Sequence, residues 1–368
     1  MAATSRLLAL LGRAAGVVGG LLAVGAARAV DLPEDRAEAM VHAYSGGGVD
    51  ANGPALLVRK SLADKVSLTG TYYVDSVSNA SIDVVTTASP YKEKRTEWGV
   101  GAEYAVRDSL LTFAASTSKE PDYIANSASL DVSQEVFGGM TTVSLGFSRG
   151  NDEVGKHGTP GFFDRATHWQ YRAGLTQVLT PRWLASANFE ALADDGYLGS
   201  PYRAARVFGA LVPERNPRTR SARALNLRVV GDLGHRDAMH AGYRYFWDTW
   251  GVKAHTAEAG YSRYFGDLWL ADAFVRYHTQ QHAVFYSDNA MSETLYVSRN
   301  RQLSTFRDFS LGAKVSRTVA SVPGRYAVKA NLNYELMKFK YSDFTDLRNG
   351  SPYAFDANVL QVYLSATF

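Results

Sequence analysis

The sequence contains no cysteine in its 368 residues, and this absence excludes disulfides, thiolate metal sites and covalent haem attachment. The 39 basic and 36 acidic side chains leave a formal net charge of +3, which is too small and too evenly spread to indicate nucleic-acid binding. Beyond residue 29 no apolar run approaches the roughly 18 residues that a membrane-spanning helix requires. A helical membrane protein is therefore excluded.

Recognised catalytic and metal motifs are also scarce. The sequence has no Walker loop, no H-E-x-x-H and no EF-hand calcium loop, so we expect no cofactor and no metal site. Gly146 to Gly150 match the G-x-S-x-G pattern around Ser148. A nucleophile elbow requires a strand, a sharp turn and a helix, whereas a loop follows here, so we interpret the match as accidental and expect no enzyme.

The first 29 residues have the features of an export signal. Arg6 and Arg13 supply positive charge, and residues 17–24 form a short apolar stretch. Residues 27–29, with the sequence Ala-Arg-Ala, have the small-x-small form of a signal-peptidase site. We predict a cleaved secretory signal peptide over residues 1–29 and a single domain over residues 30–368.

Most of the remaining chain alternates between apolar and polar residues with the period of a β-strand. Leu332 and Tyr334, for example, alternate with Asn333 and Glu335. The last strand, over residues 357–368, alternates in the same way and ends in Phe368. A final strand that ends in an aromatic residue resembles the assembly signal of bacterial outer-membrane barrels.

The connections between predicted strands alternate between short and mostly long. Short turns and long outer loops on opposite sides are typical of up-and-down transmembrane barrels. Both chain ends should lie on the periplasmic side, so the number of strands should be even. We predict an all-β, single up-and-down antiparallel transmembrane β-barrel of about 16 strands. Short turns are predicted at residues 63–65, 107–108, 137–139, 180–182, 232–236, 266–267 and 319–324, and long outer loops at residues 76–94, 151–166, 194–220, 287–303 and 342–356.

Charged side chains on the polar face are the candidate lumen lining. Acidic residues come from the first nine strands and basic residues from strands 10 to 15, so the two groups should face each other across the lumen. Arg59 and Arg172 depart from this segregation on the acidic side, as do Glu258, Asp272 and Glu335 on the basic side. A water-filled, constricted pore and a plugged or packed lumen both remain open interpretations. The predicted lumen-lining residues are Asp75, Glu97, Glu103, Asp131, Glu135, Glu190, Arg228, Arg244, Arg276, Lys314 and Lys329.

The predicted loop over residues 76–94 is a candidate constriction. Its centre is more apolar than an extracellular loop requires, and a proline fixes the chain just after it. The loop could fold into the barrel mouth, or form a local hairpin packed on its neighbour. The residues predicted to form the constriction are Ile82, Asp83, Val84, Val85 and Pro90.

Several stretches resemble one family. They are GPALLVRKSLADKVSLTGTYYVDSV, SNASIDVVTTASPYKEKR, YRYFWDTWGVKAHTAEAGY and FYSD, at residues 53–77, 78–95, 243–261 and 285–288. With them the chain resembles the proteobacterial outer-membrane family described as domain of unknown function 3570. The resemblance implies an outer-membrane barrel and hints at a periplasmic redox partner, but it brings no catalytic residue.

These observations predict a porin or solute-selective channel with a charged lumen, in the outer membrane of a Gram-negative bacterium. The alternative is a closed structural or scaffold barrel that docks a periplasmic or redox partner. Expected partners are outer-membrane lipid and lipopolysaccharide, the barrel-assembly machinery, a small solute and a periplasmic redox protein, with no nucleic acid.

Overall fold

The computed structural model describes residues 30–79, 91–156 and 158–368 and shows a closed antiparallel barrel of 16 strands. Neighbours follow chain order, except that β9 pairs with β12 because β10 and β11 form a separate hairpin. The predicted fold class is confirmed. The strands are β1 Arg36–Gly46, β2 Val49–Ala63, β3 Val66–Asn79, β4 Tyr91–Val106, β5 Ser109–Lys119, β6 Tyr123–Val136, β7 Thr141–Gly155, β8 Phe163–Thr180, β9 Trp183–Gly196, β10 Ala204–Val207, β11 Ala210–Pro213, β12 Thr219–Gly234, β13 Asp237–Asp248, β14 Lys253–Phe265, β15 Trp269–Gln280, β16 Phe306–Val322, β17 Tyr326–Asp346 and β18 Ser351–Thr367.

Closure joins the first strand to the last. Arg36 pairs with Thr367 and Gly46 with Ala357, so β1 begins and β18 ends on the same side of the barrel. We call this side the terminal end, and the opposite side the loop end. The predicted short turns lie at the terminal end. Among the described residues, no helix is long and apolar enough to cross a bilayer.

Alternation gives the barrel an apolar outer face and a polar inner face. On β17, Leu332 and Tyr334 are 49% and 46% exposed, whereas Glu335 is 4% exposed. The same contrast recurs on other strands, as at Val58, Val100 and Leu145, all more than half exposed. Exposing a continuous apolar band of this kind to water would cost free energy, whereas contact with lipid would not.

Two long connections occupy the loop end. Residues 197–218 contain the β10–β11 hairpin, and residues 281–305 contain a short 3-10 helix, Arg301–Leu303. Isolated bridges join Val207 to Ala290 and Arg215 to Val297, so the two connections support each other.

The prediction of a long loop at residues 342–356 is wrong. β17 continues to Asp346 and β18 begins at Ser351, which leaves a turn of residues 347–350. The ends of β17 and β18 extend beyond the apolar outer band, and Thr345 pairs with Pro352 beside the turn after a register shift that follows Lys340. The predicted signal segment, residues 1–29, and the predicted constriction residues Ile82, Asp83, Val84, Val85 and Pro90 lie outside the described residues.

A hydrophobic cluster fills part of the barrel at the loop end. Met337, Phe339 and Tyr341 lie on the same face of β17 as Glu335, which is the inner face, and Leu303 and Tyr286 pack against them. The connection over residues 281–305 therefore folds inward onto the barrel wall. We call residues 281–305 the plug.

Candidate functional site

The structure places all the predicted lumen-lining residues on the inner face. The register carries this face from strand to strand: Glu103 pairs with Thr112, and Thr112 with Asp131. Across the opposite wall, Arg276 pairs with Glu258. The residues on this face are Asp75, Glu97, Glu103, Asp131, Glu135, Glu190, Arg228, Arg244, Arg276, Lys314 and Lys329.

One ion pair crosses an entire strand because the residue between is glycine. Arg172 on β8 donates to both carboxylate oxygens of Asp131 on β6, from Nη2 at 2.8 and 2.9 Å. A Cβ atom on Gly146 of the intervening β7 would lie 2.0 Å from Asp131 Oδ1 and 2.8 Å from Arg172 Nε. Glycine at this position therefore permits the bidentate pair.

The opposite wall carries a branched charge network. Arg276 contacts Glu335 across β16, and its Nη1 atom lies 3.8 Å from Glu258 Oε2. Glu258 also lies 4.0 Å from Arg228 Nη1 and 3.2 Å from His240 Nε2. Three cationic or ionisable groups thus surround a single carboxylate.

Arg244 is loosely paired on the inner face. Its Nη2 atom lies 3.9 Å from Glu190 Oε2, beyond hydrogen-bond distance, and 38% of its side chain is accessible. The guanidinium also lies 5.5 Å from the ring centre of Phe246. The Arg244 side chain is therefore loosely held and partly accessible on the inner face.

The sequence predicts an acidic wall opposite a basic wall, but ion pairs form within each wall. Arg59 lies 3.7 Å from Glu103, and Arg172 binds Asp131. On the basic side, Glu258 and Glu335 neutralise Arg228 and Arg276. Of the residues that departed from the segregation in the sequence, Arg59, Arg172, Glu258 and Glu335 are ion-pair partners of the others, so much of the wall charge is balanced locally.

The other predicted lining residues have different surroundings. Asp75 lies 2.7 Å from His42 Nε2, and Glu97 accepts from Arg95 at 2.5 Å. The ammonium of Lys314 lies 5.8 Å from the ring centre of Tyr363. Lys329 pairs with Ser365 close to the terminal end, as Glu135 pairs with Thr142 near the β6–β7 turn.

Sequence reasoning left a plugged lumen open but did not assign the plug to residues 281–305, although one of the family-like stretches contributes to it. In FYSD, Tyr286 donates to the carbonyl of Asp343 at 2.8 Å, and burial raises the pKa of its phenol. Asp288 accepts from Arg299 Nε at 2.9 Å. Arg299 further donates to the carbonyl of Thr345 at 2.6 Å, and its guanidinium lies 4.2 Å from the ring centre of Phe344. Arg299 thereby ties the plug to β17.

Among the residues that the structure describes, three carboxylates form a cluster that could hold a metal ion. The ligand oxygens of Glu93, Glu120 and Asp122 lie within 4.8 Å of one another near the β5–β6 turn. Tyr202 from the long connection donates to Asp122, and burial raises the pKa of Glu120. Exposed acidic groups often gather without a cation, so we assign no ligand here.

The G-x-S-x-G match lies within a continuous strand. Ser148 pairs with Ser129 on β6 and with Gln170 on β7's other neighbour, β8. Its hydroxyl donates to Gln170 at 3.3 Å. The strand–turn–helix geometry of a nucleophile elbow does not occur at this serine.

The chain is similar in fold to a solved outer-membrane structure. A bacterial polysaccharide outer membrane secretin matches at 10% identity with a TM-score of 0.50, covering 91% of this chain and 99% of that chain. CdiB from Acinetobacter baumannii matches at 9% identity and TM-score 0.48, covering 90% and 60%. OmpT, an outer membrane protein of Vibrio cholerae, matches at 9% and 0.45, covering 91% and 97%. At such identities the likeness concerns the fold alone.

Sequence comparisons agree with the resemblance described above. No curated protein matches the sequence. Residues 162–336 match the family model described as "Protein of unknown function (DUF3570)". Of the family-like stretches, those at residues 243–261 and 285–288 fall inside this match. The match over residues 162–336 bears out, for that part of the chain, the resemblance to the DUF3570 family, and the outer-membrane-type barrel agrees with it.

Proposed function

We propose that this protein is a solute-selective channel in the outer membrane of a Gram-negative bacterium. The observation that carries the proposal is that charged side chains in the middle of the inner wall remain accessible to water. Side-chain exposure is 27% and 39% for Arg172 and Asp131, and 38% and 32% for Arg244 and Glu190. Ion pairs in a packed interior would lose their hydration at a cost of several kcal/mol per ion.

The plug supports a narrow channel rather than a wide one. It covers the inner wall of β16, β17 and β18 at the loop end, where Phe306, Phe339 and Phe355 pack together. Solutes would therefore pass beside the plug, along the wall that carries Arg172, Arg244 and Glu190.

The chemistry of the wall favours small polar solutes. Guanidinium groups are paired with carboxylates on this wall, at 2.8 Å for Arg172 and Asp131 and at 4.0 Å for Arg228 and Glu258. Paired charges of this kind present strong local dipoles and partly cancel each other's field, so they suit zwitterionic or dipolar solutes better than ions of one sign.

Planar-bilayer recordings test the proposal. Ala283 N donates to the carbonyl of Leu303 at 2.8 Å, so the base of the plug is closed by a backbone hydrogen bond. A variant in which Gly-Ser replaces residues 284–302 should fold and conduct more than the wild type. A matched control replaces the exposed β17–β18 turn, residues 347–350, with Asn-Gly and should conduct like the wild type.

The second candidate function is a closed scaffold barrel that docks a periplasmic partner, such as a redox protein. The inward-folded plug, packed on Met337 and Phe339, is the observation that favours it. If neither the wild type nor the plug deletion carries current in bilayers although both barrels are folded, the result would support this candidate and contradict a channel.

A further inference from the structure

Cations on the outer face of the barrel gather at the loop end. Arg307 on β16 lies directly opposite Lys340 on β17, and Lys338 lies two residues before Lys340 on the same face. All three side chains are exposed, and they alternate with the buried Asp308 and Phe339 of the inner face. We call these three residues the Arg307 patch.

The positive charge of the patch is only partly balanced. Asp356 on β18 lies 3.8 Å from Lys338 and is the carboxylate paired with the patch. Like charges directly opposite each other destabilise a sheet pair. The Arg307–Lys340 juxtaposition therefore calls for an anion from outside the chain.

Two more cationic or ionisable residues extend the patch around the barrel. Arg307 pairs with Thr279 on β15, and Thr279 pairs with His255 on β14, so His255 lies level with Arg307 and Lys340 around the barrel. Lys253 lies two residues from His255 on the same exposed face.

An aromatic and aliphatic band begins one row closer to the terminal end. Phe309 and Tyr277 pair with each other and are 47% and 46% exposed. Leu311 and Val275 follow at 50% and 43% exposure. Cations directly above an aromatic girdle match an amphiphile that has anionic headgroups and apolar chains.

The geometry points to a site for the phosphorylated glycolipid of an outer leaflet, and we propose that the Arg307 patch binds the phosphates of lipid A. Arg307 and Lys340 lie on neighbouring strands, which are about 4.8 Å apart, and Lys338 and Lys340 are alternate residues of one strand, about 6.8 Å apart. The patch is therefore wide enough to contact more than one phosphate. The wide apolar band below suits several acyl chains. This inference rests on the proposed function for its membrane setting only.

Binding of bisphosphorylated lipid A to the detergent-purified full chain tests the proposal. A variant carrying Arg307→Gln, Lys338→Gln and Lys340→Gln removes the patch. A matched control carries Arg263→Gln and Arg317→Gln, which remove exposed outward cations from the terminal ends of β14 and β16. Near an anionic surface each cation contributes about fivefold in affinity, so we expect roughly a hundredfold loss for the patch variant and little change for the control.

Further measurements separate this mechanism from folding damage and from other anions. Without lipid A the patch variant should melt at or above the wild-type temperature, because cross-strand repulsion has been removed. Equal affinity of the patch variant, or displacement of lipid A by equimolar phosphatidylglycerol or inorganic phosphate, would overturn the proposal. If wild type conducts in bilayers but does not bind lipid A, only this inference fails. If lipid A binds at the patch while no current flows, only the channel fails.

Discussion

Replacing Arg244 with glutamate should turn the channel toward cations. Arg244 projects from the inner face of β13 with 38% of its side chain accessible, and its contact to Glu190, at 3.9 Å, is loose. The substitution places two carboxylates side by side where a nearly neutral pair now stands. The local wall charge then changes by two units.

The expected size follows from Coulomb's law. For a monovalent ion passing about 5 Å from the site in water, a change of two charges corresponds to about 1.7 kcal/mol. Screening at about 0.1 M salt, with a Debye length of about 10 Å, reduces this to about 1 kcal/mol, or about fivefold in permeability. At about 1 M salt the effect falls to less than about twofold.

Reversal potentials in asymmetric salt across planar bilayers provide the measurement. Arg325→Glu, in the exposed β16–β17 turn, carries the same charge change outside the lumen and should leave selectivity nearly unaltered. Unchanged selectivity of Arg244→Glu in low salt, with current still flowing, would refute the assignment of Arg244 to the permeation path.

Three further predictions concern the plug, the barrel wall and the seam. Arg299→Ala removes a guanidinium whose side chain is 4% exposed, so the plug should lose roughly 3 kcal/mol and single-channel records should show more frequent wide openings; quiet records like those of the wild type would argue against this. Gly53→Ala puts a Cβ atom 1.9 Å from the carbonyl oxygen of Val74, so the variant should unfold more readily in urea, by about 1–3 kcal/mol; unaltered unfolding would contradict the close approach of β2 and β3. Hydrogen bonding to Lys60 lowers the pKa of Asp35 from 3.8 to about 2, so this contact stabilises the folded state above pH 3.8 and is lost as the pH falls through about 2; the difference in melting temperature between wild type and Asp35→Asn should be present at neutral pH and close toward pH 2, and a constant difference would point to another cause.

Sequence reasoning predicted the barrel because the strand period is local. Leu332, Asn333 and Tyr334 alone reveal which face is apolar, and a paired sheet preserves that phase from strand to strand. The lumen residues followed from the same phase. The ends of β17 and β18 were misassigned because they leave the apolar outer band, where the pattern loses contrast, and because the register shifts between Lys340 and Thr345.

The plug and the ion pairs could not be predicted in this way. Residues 281–305 have no period, and their packing depends on Phe339 and Tyr341, which are distant in sequence. Arg276 and Glu335 are 59 residues apart and meet only because the register of β15, β16 and β17 aligns them. The sequence predicted opposed acidic and basic walls because it assigns each charged residue to a strand but does not show its ion-pair partner on a neighbouring strand.

The cysteine-free sequence allows a direct test of the two faces. Asn333 lies on the inner face of β17, and its neighbour Leu332 lies on the outer face with 49% exposure. In intact outer membranes, a membrane-impermeant thiol reagent should label Asn333→Cys and leave Leu332→Cys unmodified, because water fills the lumen and lipid covers the outer face. Labelling of Leu332→Cys together with protection of Asn333→Cys would contradict the account.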